Sequence, residues 1–267
     1  MPFRLSPTLR HRIAASDRPL FGGWICSGSP VMAEIMAGAG LDWLMIDMEH
    51  GAVSLETVQV LLQTTAAYPV TTIVRVPVND AVWIKQVLDL GAQTIMVPMV
   101  STAEQAADAV AHASYPPRGH RGVGNALARS GRWNRVDDYL RNAAEYTSVI
   151  VQIETLEGVE NAEAIASVPG VDGVFVGPSD LAASMGLIGQ QTHPDVVAAV
   201  ERAFAGVTAA GTPVGVNAFV EATAKGYAEA GAAFLLVGAD VGLAARGAEQ
   251  LARTFIPAAD DTARASY

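Results

Sequence analysis

Two carboxylates follow stretches of the chain that are largely apolar. Glu154 comes directly after Val149–Ile153, and Asp180 follows Val174–Val176 after a short turn. Removing a carboxylate from water is costly unless it has a partner. Two such groups together would suit a hard divalent cation, Mg²⁺ or Mn²⁺, that keeps positions open for water or substrate. Two alternatives are that Asp180 caps the next helix and that Glu154 pairs with an arginine.

Other polar residues occupy similar positions, just after apolar runs. They are Asp47, Glu49, His50, Gly51, Arg75, Gln152, Gly177, Pro178 and Ser179. Arg75 lies between valines, where an arginine usually faces an anion; a structural salt bridge to a neighbouring strand is the alternative. His50 has acids nearby and could be a general base near neutral pH, although loop histidines are more often structural. The turn 177–179 leads into a helix, whose free backbone N–H groups could bind a substrate carboxylate.

The two lysines of the chain restrict the chemistry further. Lys85 lies in Ala81–Leu90 and Lys225 in Glu221–Ala230, where apolar residues recur at helical spacing. Chemistry on a carbonyl compound without a metal would need a lysine at a strand end to form a Schiff base. Neither lysine is predicted at such a position, which disfavours that route.

Eight short β-rich runs, separated by helical patterns, would position these residues. The predicted strands are Phe21–Cys26, Trp43–Met48, Thr71–Val76, Thr94–Pro98, Ser148–Glu154, Gly173–Gly177, Pro213–Asn217 and Phe234–Gly238. Eight strand–helix units predict an α/β fold closed into a (β/α)8 TIM barrel, in which the C-terminal strand ends converge on one pocket. An open doubly wound sheet is the alternative, but its Gly-x-Gly-x-x-Gly turn after the first strand is absent.

We expect one domain over residues 1–267, with the barrel at about 20–256 between two extensions. One long interruption, Tyr115–Asn134, is rich in proline and glycine and comes after the fourth strand. We expect it at the C-terminal rim of the barrel, where active-site loops lie. Trp24 and Phe219 are candidates to line the mouth of the same pocket, with simple packing as the alternative.

Composition excludes several other classes of protein. The net charge is −10, which argues against a nucleic-acid partner. No apolar run approaches the length of a membrane span, and the N-terminus does not resemble a signal peptide. The only cysteine, Cys26, cannot pair within the chain, so a cytoplasmic location is expected.

Six ordered motifs between about Leu20 and Phe255 resemble those of the class II pyruvate aldolases. The group is that of the 4-hydroxy-2-oxoheptanedioate aldolases, within the aldolase/citrate lyase family. The motifs are Trp43–Gly51, Arg75–Pro77, Tyr115–Gly119, Arg121–Gly124, Gln152–Thr155 and Val176–Asp180. The resemblance implies reversible cleavage of a 4-hydroxy-2-oxo acid to pyruvate and an aldehyde, with Mg²⁺, Mn²⁺ or Co²⁺ as cofactor.

The resemblance also implies roles for individual residues. Glu154 and Asp180 match the metal-ligating acids, and the turn from Gly177 matches the cradle for the pyruvate carboxylate. Arg75 matches the arginine that contacts the substrate keto oxygen. In the same way, His50 matches the proposed base, and Gln152 matches a glutamine near bound pyruvate.

Two aspartates are candidates for the acid that pairs with His50. The resemblance implies that an aspartate of a neighbouring subunit pairs with His50; Asp89 matches that position, and Asp47 is the competitor within the chain. The family commonly forms homohexamers with exchanged C-terminal helices, so the same is expected here. His120 departs from the aliphatic residue that related sequences often carry in a loop expected at the pocket rim.

Two other functions are compatible with the same motifs. One is cleavage of citryl- or malyl-thioesters of coenzyme A with similar metal-binding acids, although no basic groove for the nucleotide is evident. The other is a catalytically silent barrel that binds 2-oxo acids. The intact acids together with Arg75 and His50 argue against the silent barrel.

Overall fold

The computed structural model describes residues 5–256 and contains a closed barrel of eight parallel strands, in which the last strand pairs with the first. The strands are β1 (Leu20–Ile25), β2 (Trp43–Asp47), β3 (Thr71–Arg75), β4 (Thr94–Val97), β5 (Ser148–Ile153), β6 (Gly173–Val176), β7 (Val214–Asn217) and β8 (Phe234–Ala239). The predicted TIM barrel is confirmed. Every predicted strand is present, with each end within about one residue of its expected position.

The helices surround the barrel and separate its strands. They are α1 (Leu9–Ala14), α2 (Pro30–Gly38), α3 (Leu55–Thr65), α4 (Ala81–Asp89), α5 (Ala103–Ala113), α6 (Ala143–Tyr146), α7 (Leu156–Glu160), α8 (Ala162–Ala166), α9 (Pro178–Ser184), α10 (Pro194–Ala209), α11 (Glu221–Glu229) and α12 (Asp240–Phe255). Lys85 and Lys225 lie in α4 and α11, as predicted.

Side chains alternate between the barrel interior and the helix layer, because successive residues of a strand point to opposite faces. In β2, Trp43 and Met45 fill the interior, whereas Leu44 and Ile46 pack against the helices. The next inward position is Asp47, which is buried at the C-terminal end of the strand. The alternation therefore places a carboxylate at the top of an otherwise apolar interior.

Helix α1 closes the opposite end of the barrel. Leu9 is fully buried in the cluster of interior side chains, and its backbone N–H donates to the Thr94 hydroxyl at 3.1 Å. Thr94 is the first residue of β4. This plug leaves the C-terminal ends of the strands as the end where a pocket can form.

The segment Tyr115–Asn134 lies at the N-terminal end of the barrel, so its predicted place at the C-terminal rim is wrong. Arg129 donates to the carbonyl of Leu90 at 3.2 Å, just beyond the last turn of α4. His120 packs edge-on against His112 of α5, with 4.8 Å between ring centroids, rather than at the rim. The prediction failed because α5 follows β4 and returns the chain to the N-terminal end before the segment begins.

Helix α12 is amphipathic, but its apolar side chains are exposed in the single chain. They include Val241, Leu243, Leu251 and Phe255. Exchange of this helix between subunits stays a prediction. Within residues 5–256, no helix combines the length and the hydropathy that a membrane span requires. Parts of the two predicted extensions, residues 1–4 and 257–267, lie outside the described residues.

Candidate active site

Arg75 is the centre of a polar cluster at the C-terminal end of the barrel. β2 and β3 pair in a register that sets Asp47 beside Arg75, and the Asp47 carboxylate accepts from Nε at 2.9 Å and from Nη2 at 2.8 Å. Glu49 forms a second ion pair with Nη1 at 2.8 Å. The salt bridge to a neighbouring strand is therefore present. It fixes the guanidinium in a bidentate geometry that lysine could not reproduce.

Trp24 supports the same guanidinium from β1. Its ring lies 4.4 Å from Cζ of Arg75, within range of a cation–π interaction, and its Nε1 donates to Oδ1 of Asn217 at 2.9 Å. Trp24 is buried, whereas Phe219, just after β7, is exposed at the rim. Of the two aromatic candidates, only Phe219 is open to a ligand from solvent.

Glu154 is a buried carboxylate that no arginine neutralises directly. It is 2% exposed; one oxygen accepts the backbone N–H of Met99 at 2.7 Å, and the other accepts a short hydrogen bond from Nε2 of Gln152. The pKa of Glu154 is raised to about 7, chiefly by burial, with smaller effects of the same sign from Glu49 and Asp180 and an opposing effect from the Met99 N–H. The alternative of a direct arginine pair is not observed among residues 5–256.

Gly177 brings the turn after β6 close to Glu154. A Cβ at this position would lie 2.8 Å from Oε2 of Glu154 and 2.9 Å from Nε2 of Gln152, so only glycine allows this approach. Asp180 is exposed in the first turn of α9, and Gly177 is the residue at the N-cap. Asp180 is therefore placed favourably at a helix N-terminus without serving as its cap. Ser179 is also exposed, and its hydroxyl accepts from Nε2 of Gln191 at 3.2 Å.

The donor set at this rim fits one divalent cation with open coordination positions. Glu154 and Asp180 are near enough for the charge of Asp180 to raise the pKa of Glu154, and Glu49 acts in the same direction. Arg75 is already paired with two other carboxylates. Within residues 5–256, no group of three or more acid, histidine or cysteine side chains is arranged to hold a metal ion. Two protein oxygens with the remaining positions left to water or substrate are typical of catalytic Mg²⁺ or Mn²⁺ sites.

His50 lies in an exposed bend after β2, beside Glu49. Its backbone N–H is 3.4 Å from Oδ1 of Asp47, but the Asp47 carboxylate is directed to Arg75. Asp47 is therefore a partner of the arginine and not of the histidine ring. Asp89 ends α4 at the other end of the barrel and accepts from Arg121 at 2.6 Å. Asp89 cannot reach His50 of the same chain, and its pairing with a neighbouring subunit stays a prediction.

Three contributors to this cluster were given no role in the sequence analysis. Glu49 was recognised only as an acid after a strand, and its contact with Arg75 depends on the path of the bend. Asn217 ends β7, and the rule that singles out polar residues at strand ends would have found it. Met99 contributes through its backbone, which has a φ of 56°. A backbone donor of this kind leaves no signal in the residue type.

The profile of one protein family, described as HpcH/HpaI aldolase/citrate lyase, matches residues 20–247 of the chain. The chain belongs to this family. The matched range includes the whole barrel, and the resemblance found in the sequence is confirmed. Enzymes of this family act on small molecules and generally depend on a divalent metal ion.

Individual relatives cover most of the chain. A 4-hydroxy-2-oxo-heptane-1,7-dioate aldolase from Salmonella arizonae is 52% identical over 240 residues, which are 90% of this chain and 91% of that one. The structure of an HpcH/HpaI aldolase/citrate lyase family protein from Burkholderia cenocepacia is 41% identical, with a TM-score of 0.88 over 92% of this chain and 98% of the other. The citrate synthase SbnG is 30% identical, with a TM-score of 0.83 over 92% and 96% of the two chains. This member of the HpcH/HpaI family is thus a lyase of the aldolase type, as its motifs predicted.

Proposed function

We propose that this HpcH/HpaI family member cleaves a 4-hydroxy-2-oxo acid reversibly to pyruvate and an aldehyde, with 4-hydroxy-2-oxoheptanedioate as the first substrate to test. The observation that supports the proposal is that a buried acid and a buried arginine lie together at the C-terminal rim of the barrel. Glu154, a buried carboxylate without a direct ion pair, lies near Asp180, and the buried Arg75 is held beside them by its own ion pairs. A 2-oxo acid needs both a cation for its two oxygens and a donor for the charge that develops on its keto oxygen.

Glu154 and Asp180 would hold the divalent metal ion. When bound, such an ion would supply a Lewis acid that stabilises negative charge on the oxygens of the substrate. Oxygen ligands do not distinguish Mg²⁺, Mn²⁺ and Co²⁺ strongly, so all three are candidates. The free backbone N–H groups at the start of α9, just after Gly177, would bind the substrate carboxylate.

Arg75 would share the negative charge on the keto oxygen. Its Nε and Nη2 are held by Asp47 and its Nη1 by Glu49 at 2.8 Å, and Nη1 also lies 3.5 Å from Oε1 of Gln152. The three fixed contacts orient the guanidinium before substrate binds, and this preorganisation is the usual source of electrostatic stabilisation in enzymes. Gln152 would contact pyruvate from the opposite side of the same space.

His50 would remove the proton of the 4-hydroxyl group, directly or through a water molecule, and return a proton in the synthetic direction. Its exposed position after β2 leaves the ring free to meet an incoming aldehyde. The imidazolium would be stabilised by an acid. Glu49 lies close enough for the charge of His50 to lower the pKa of Glu49, and Asp89 of a neighbouring subunit is the partner that the family resemblance implies.

A homohexamer with exchanged C-terminal helices is part of the same proposal. The exposed apolar side chains of α12 support it, because Leu243, Leu251 and Phe255 would be covered by another copy of the chain. Sedimentation or light scattering of the full chain measures the oligomeric state. A monomer at micromolar concentration would contradict this part of the proposal.

The experiment that tests the activity is pyruvate release from 4-hydroxy-2-oxoheptanedioate, with and without EDTA. We expect activity that EDTA abolishes and that added Mg²⁺, Mn²⁺ or Co²⁺ restores. Glu154→Ala should eliminate the activity and its response to metal. Glu229→Ala, at an exposed acid in α11, is the matched control and should behave like the wild type. Metal-independent activity, or normal turnover of Glu154→Ala, would show that the site is assigned wrongly.

Cleavage of a coenzyme A thioester is the second candidate, because the family description includes citrate lyases. The same assay separates the two functions. Free coenzyme A should not inhibit pyruvate release from the free acid, and citryl- or malyl-coenzyme A should not be consumed. Consumption of the thioester without cleavage of the free acid would favour this second candidate.

A further inference from the structure

Asp240 is a buried acid that the proposed chemistry does not use. It is the first residue of α12 and is fully buried. Its Oδ1 accepts from the backbone N–H groups of Cys26 at 2.9 Å and Val241 at 2.8 Å. Its Oδ2 accepts from the backbone N–H of Ser27 at 3.2 Å and forms a short hydrogen bond with the Ser27 hydroxyl. A carboxylate with these neutral donors makes stronger hydrogen bonds than an amide or a hydroxyl would.

The turn that Asp240 holds comes directly after β1 and touches the bend that carries His50. A Cβ at Gly51 would lie 2.4 Å from the carbonyl oxygen of Asp47 and 3.1 Å from that of Cys26. Gly28 has a φ of 66°, and a Cβ there would lie 3.0 Å from the carbonyl oxygen of Ala52. The two loops therefore meet backbone to backbone at two points. At these points neither loop can move toward the other by the width of a methyl group without displacing it.

We propose that Asp240 is a positioning residue. It holds the turn Cys26–Gly28 in place, and this turn fixes the position of the bend that carries His50. The proposal rests on the proposed function in one respect, the role of His50 as the base. It adds the first residue of α12 to a site that otherwise draws on strands β1 to β7 and the turns after them. It also predicts that the start of the C-terminal helix and the catalytic bend move together.

Cys26 provides a measurement of this turn that does not depend on catalysis. It is the only cysteine of the chain, its Sγ lies 3.9 Å from Oδ2 of Asp47, and its N–H is one of the donors to Asp240. The pKa of the Cys26 thiol is raised to about 12, mainly by burial and then by the charges of Asp47 and Asp240. The Cys26 thiol should therefore react slowly with a thiol reagent while the turn is held in place, and faster when the turn is loosened.

The test compares Asp240→Asn with Asp195→Asn, an exposed acid in the first turn of the equally long helix α10. In Asp240→Asn, one of the two carboxylate oxygens becomes an NH₂ group. This group is a donor, so it cannot accept a hydrogen bond from the backbone N–H groups of the turn. We expect the Cys26 labelling rate at pH 8 to rise about tenfold or more in Asp240→Asn, and kcat for pyruvate release to fall by about 10- to 100-fold, as for small misplacements of catalytic groups. KM and Mn²⁺ affinity should stay within about twofold, because Glu154 follows β5 and Asp180 lies in α9, outside the two loops that Asp240 is proposed to hold.

Wild-type labelling or wild-type kcat in Asp240→Asn would overturn the proposal, as would a parallel loss of Mn²⁺ affinity, which would indicate general damage to the barrel. If Asp240→Asn does not fold, Ser27→Ala removes only the hydroxyl contact and should give both effects in the same direction at smaller size. Normal labelling and turnover in Ser27→Ala would then overturn the proposal. A wild-type protein without metal-dependent activity would refute the proposed function. The labelling rate of Ser27→Ala, which keeps the charge of Asp240 beside Cys26, would still decide whether the contacts of Asp240 hold the turn.

Discussion

Replacing Glu154 by glutamine should make the metal-free protein more stable at pH 8 while abolishing its response to metal. In the folded chain the pKa of Glu154 is raised to about 7 from an ordinary value of 4.5, mainly by burial. The folded state therefore holds a proton on Glu154 that the unfolded chain has already released between these two pH values. Because the unfolded state binds fewer protons there, stability falls as pH rises from about 4.5 to about 7, and the full cost of the buried charge is present above that range.

The size of this effect follows from the shift in pKa. One pKa unit corresponds to about 1.4 kcal/mol, so the buried charge costs the fold roughly 3 kcal/mol at pH 8. Glutamine is neutral and can still accept the Met99 N–H, but its amide opposes that of Gln152, which costs about 1 kcal/mol. We expect Glu154→Gln to be about 2 kcal/mol more stable than the wild type at pH 8 in EDTA, and no more stable near pH 5.

The assay is urea denaturation at pH 5 and pH 8, in EDTA and in excess Mn²⁺. Saturating metal stabilises the wild type by mass action, by about 2.7 kcal/mol at one hundred times Kd. With Mn²⁺ at pH 8, the wild type should therefore be at least as stable as Glu154→Gln. Asp180→Asn is the control, because the Asp180 side chain is exposed. It should lose the response to Mn²⁺ and gain much less stability in EDTA than Glu154→Gln, because burial, and not the charge of Asp180, is the main cause of the raised pKa of Glu154. A Glu154→Gln variant that is less stable than the wild type at pH 8 in EDTA, or that Mn²⁺ still stabilises, would refute this reasoning.

Three further predictions concern metal binding, charge stabilisation and assembly. Mn²⁺ affinity, measured by calorimetry, should weaken by about tenfold between pH 8 and pH 6, because the ion must displace the proton of Glu154; a pH-independent Kd would contradict the raised pKa. Arg75→Lys cannot keep the bidentate contact with Asp47 and should lower kcat by about 100-fold or more with little effect on Mn²⁺ affinity, and a variant with wild-type kcat would remove Arg75 from the mechanism. If Asp89 acts on the His50 of another subunit, mixing inactive His50→Ala and Asp89→Asn proteins under conditions of subunit exchange should restore part of the activity, and the absence of any recovery would argue against a shared site.

The strands and the polar residues at their ends could be predicted because barrel geometry is repetitive. Short β-rich runs indicated each strand, and the predicted strand Ser148–Glu154 ended in the polar residues Gln152 and Glu154. Because all strands of a (β/α)8 barrel are parallel, the residues at their C-terminal ends meet at one end of the barrel. The positions of Glu154, Asp180 and Arg75 near one another thus required no knowledge of side-chain packing.

Other features depend on contacts that residue types do not encode. The ion pair of Asp47 with Arg75 requires the register between β2 and β3, which the pattern of each strand alone does not determine. The Met99 donor depends on a backbone φ of 56°. The misplaced segment Tyr115–Asn134 shows a different limit, because its composition identified a loop but the intervening helix α5 determined at which end of the barrel that loop lies.

The central claim, that a divalent metal at Glu154 and Asp180 promotes enolate formation from pyruvate, can be tested without an aldehyde. The measurement is exchange of the methyl protons of pyruvate with D₂O, followed by proton NMR in the presence of the enzyme. The account predicts exchange that requires added divalent metal, stops in EDTA, and is lost in Glu154→Gln while Glu229→Gln retains it. Exchange at the same rate in EDTA, or in Glu154→Gln, would contradict the claim.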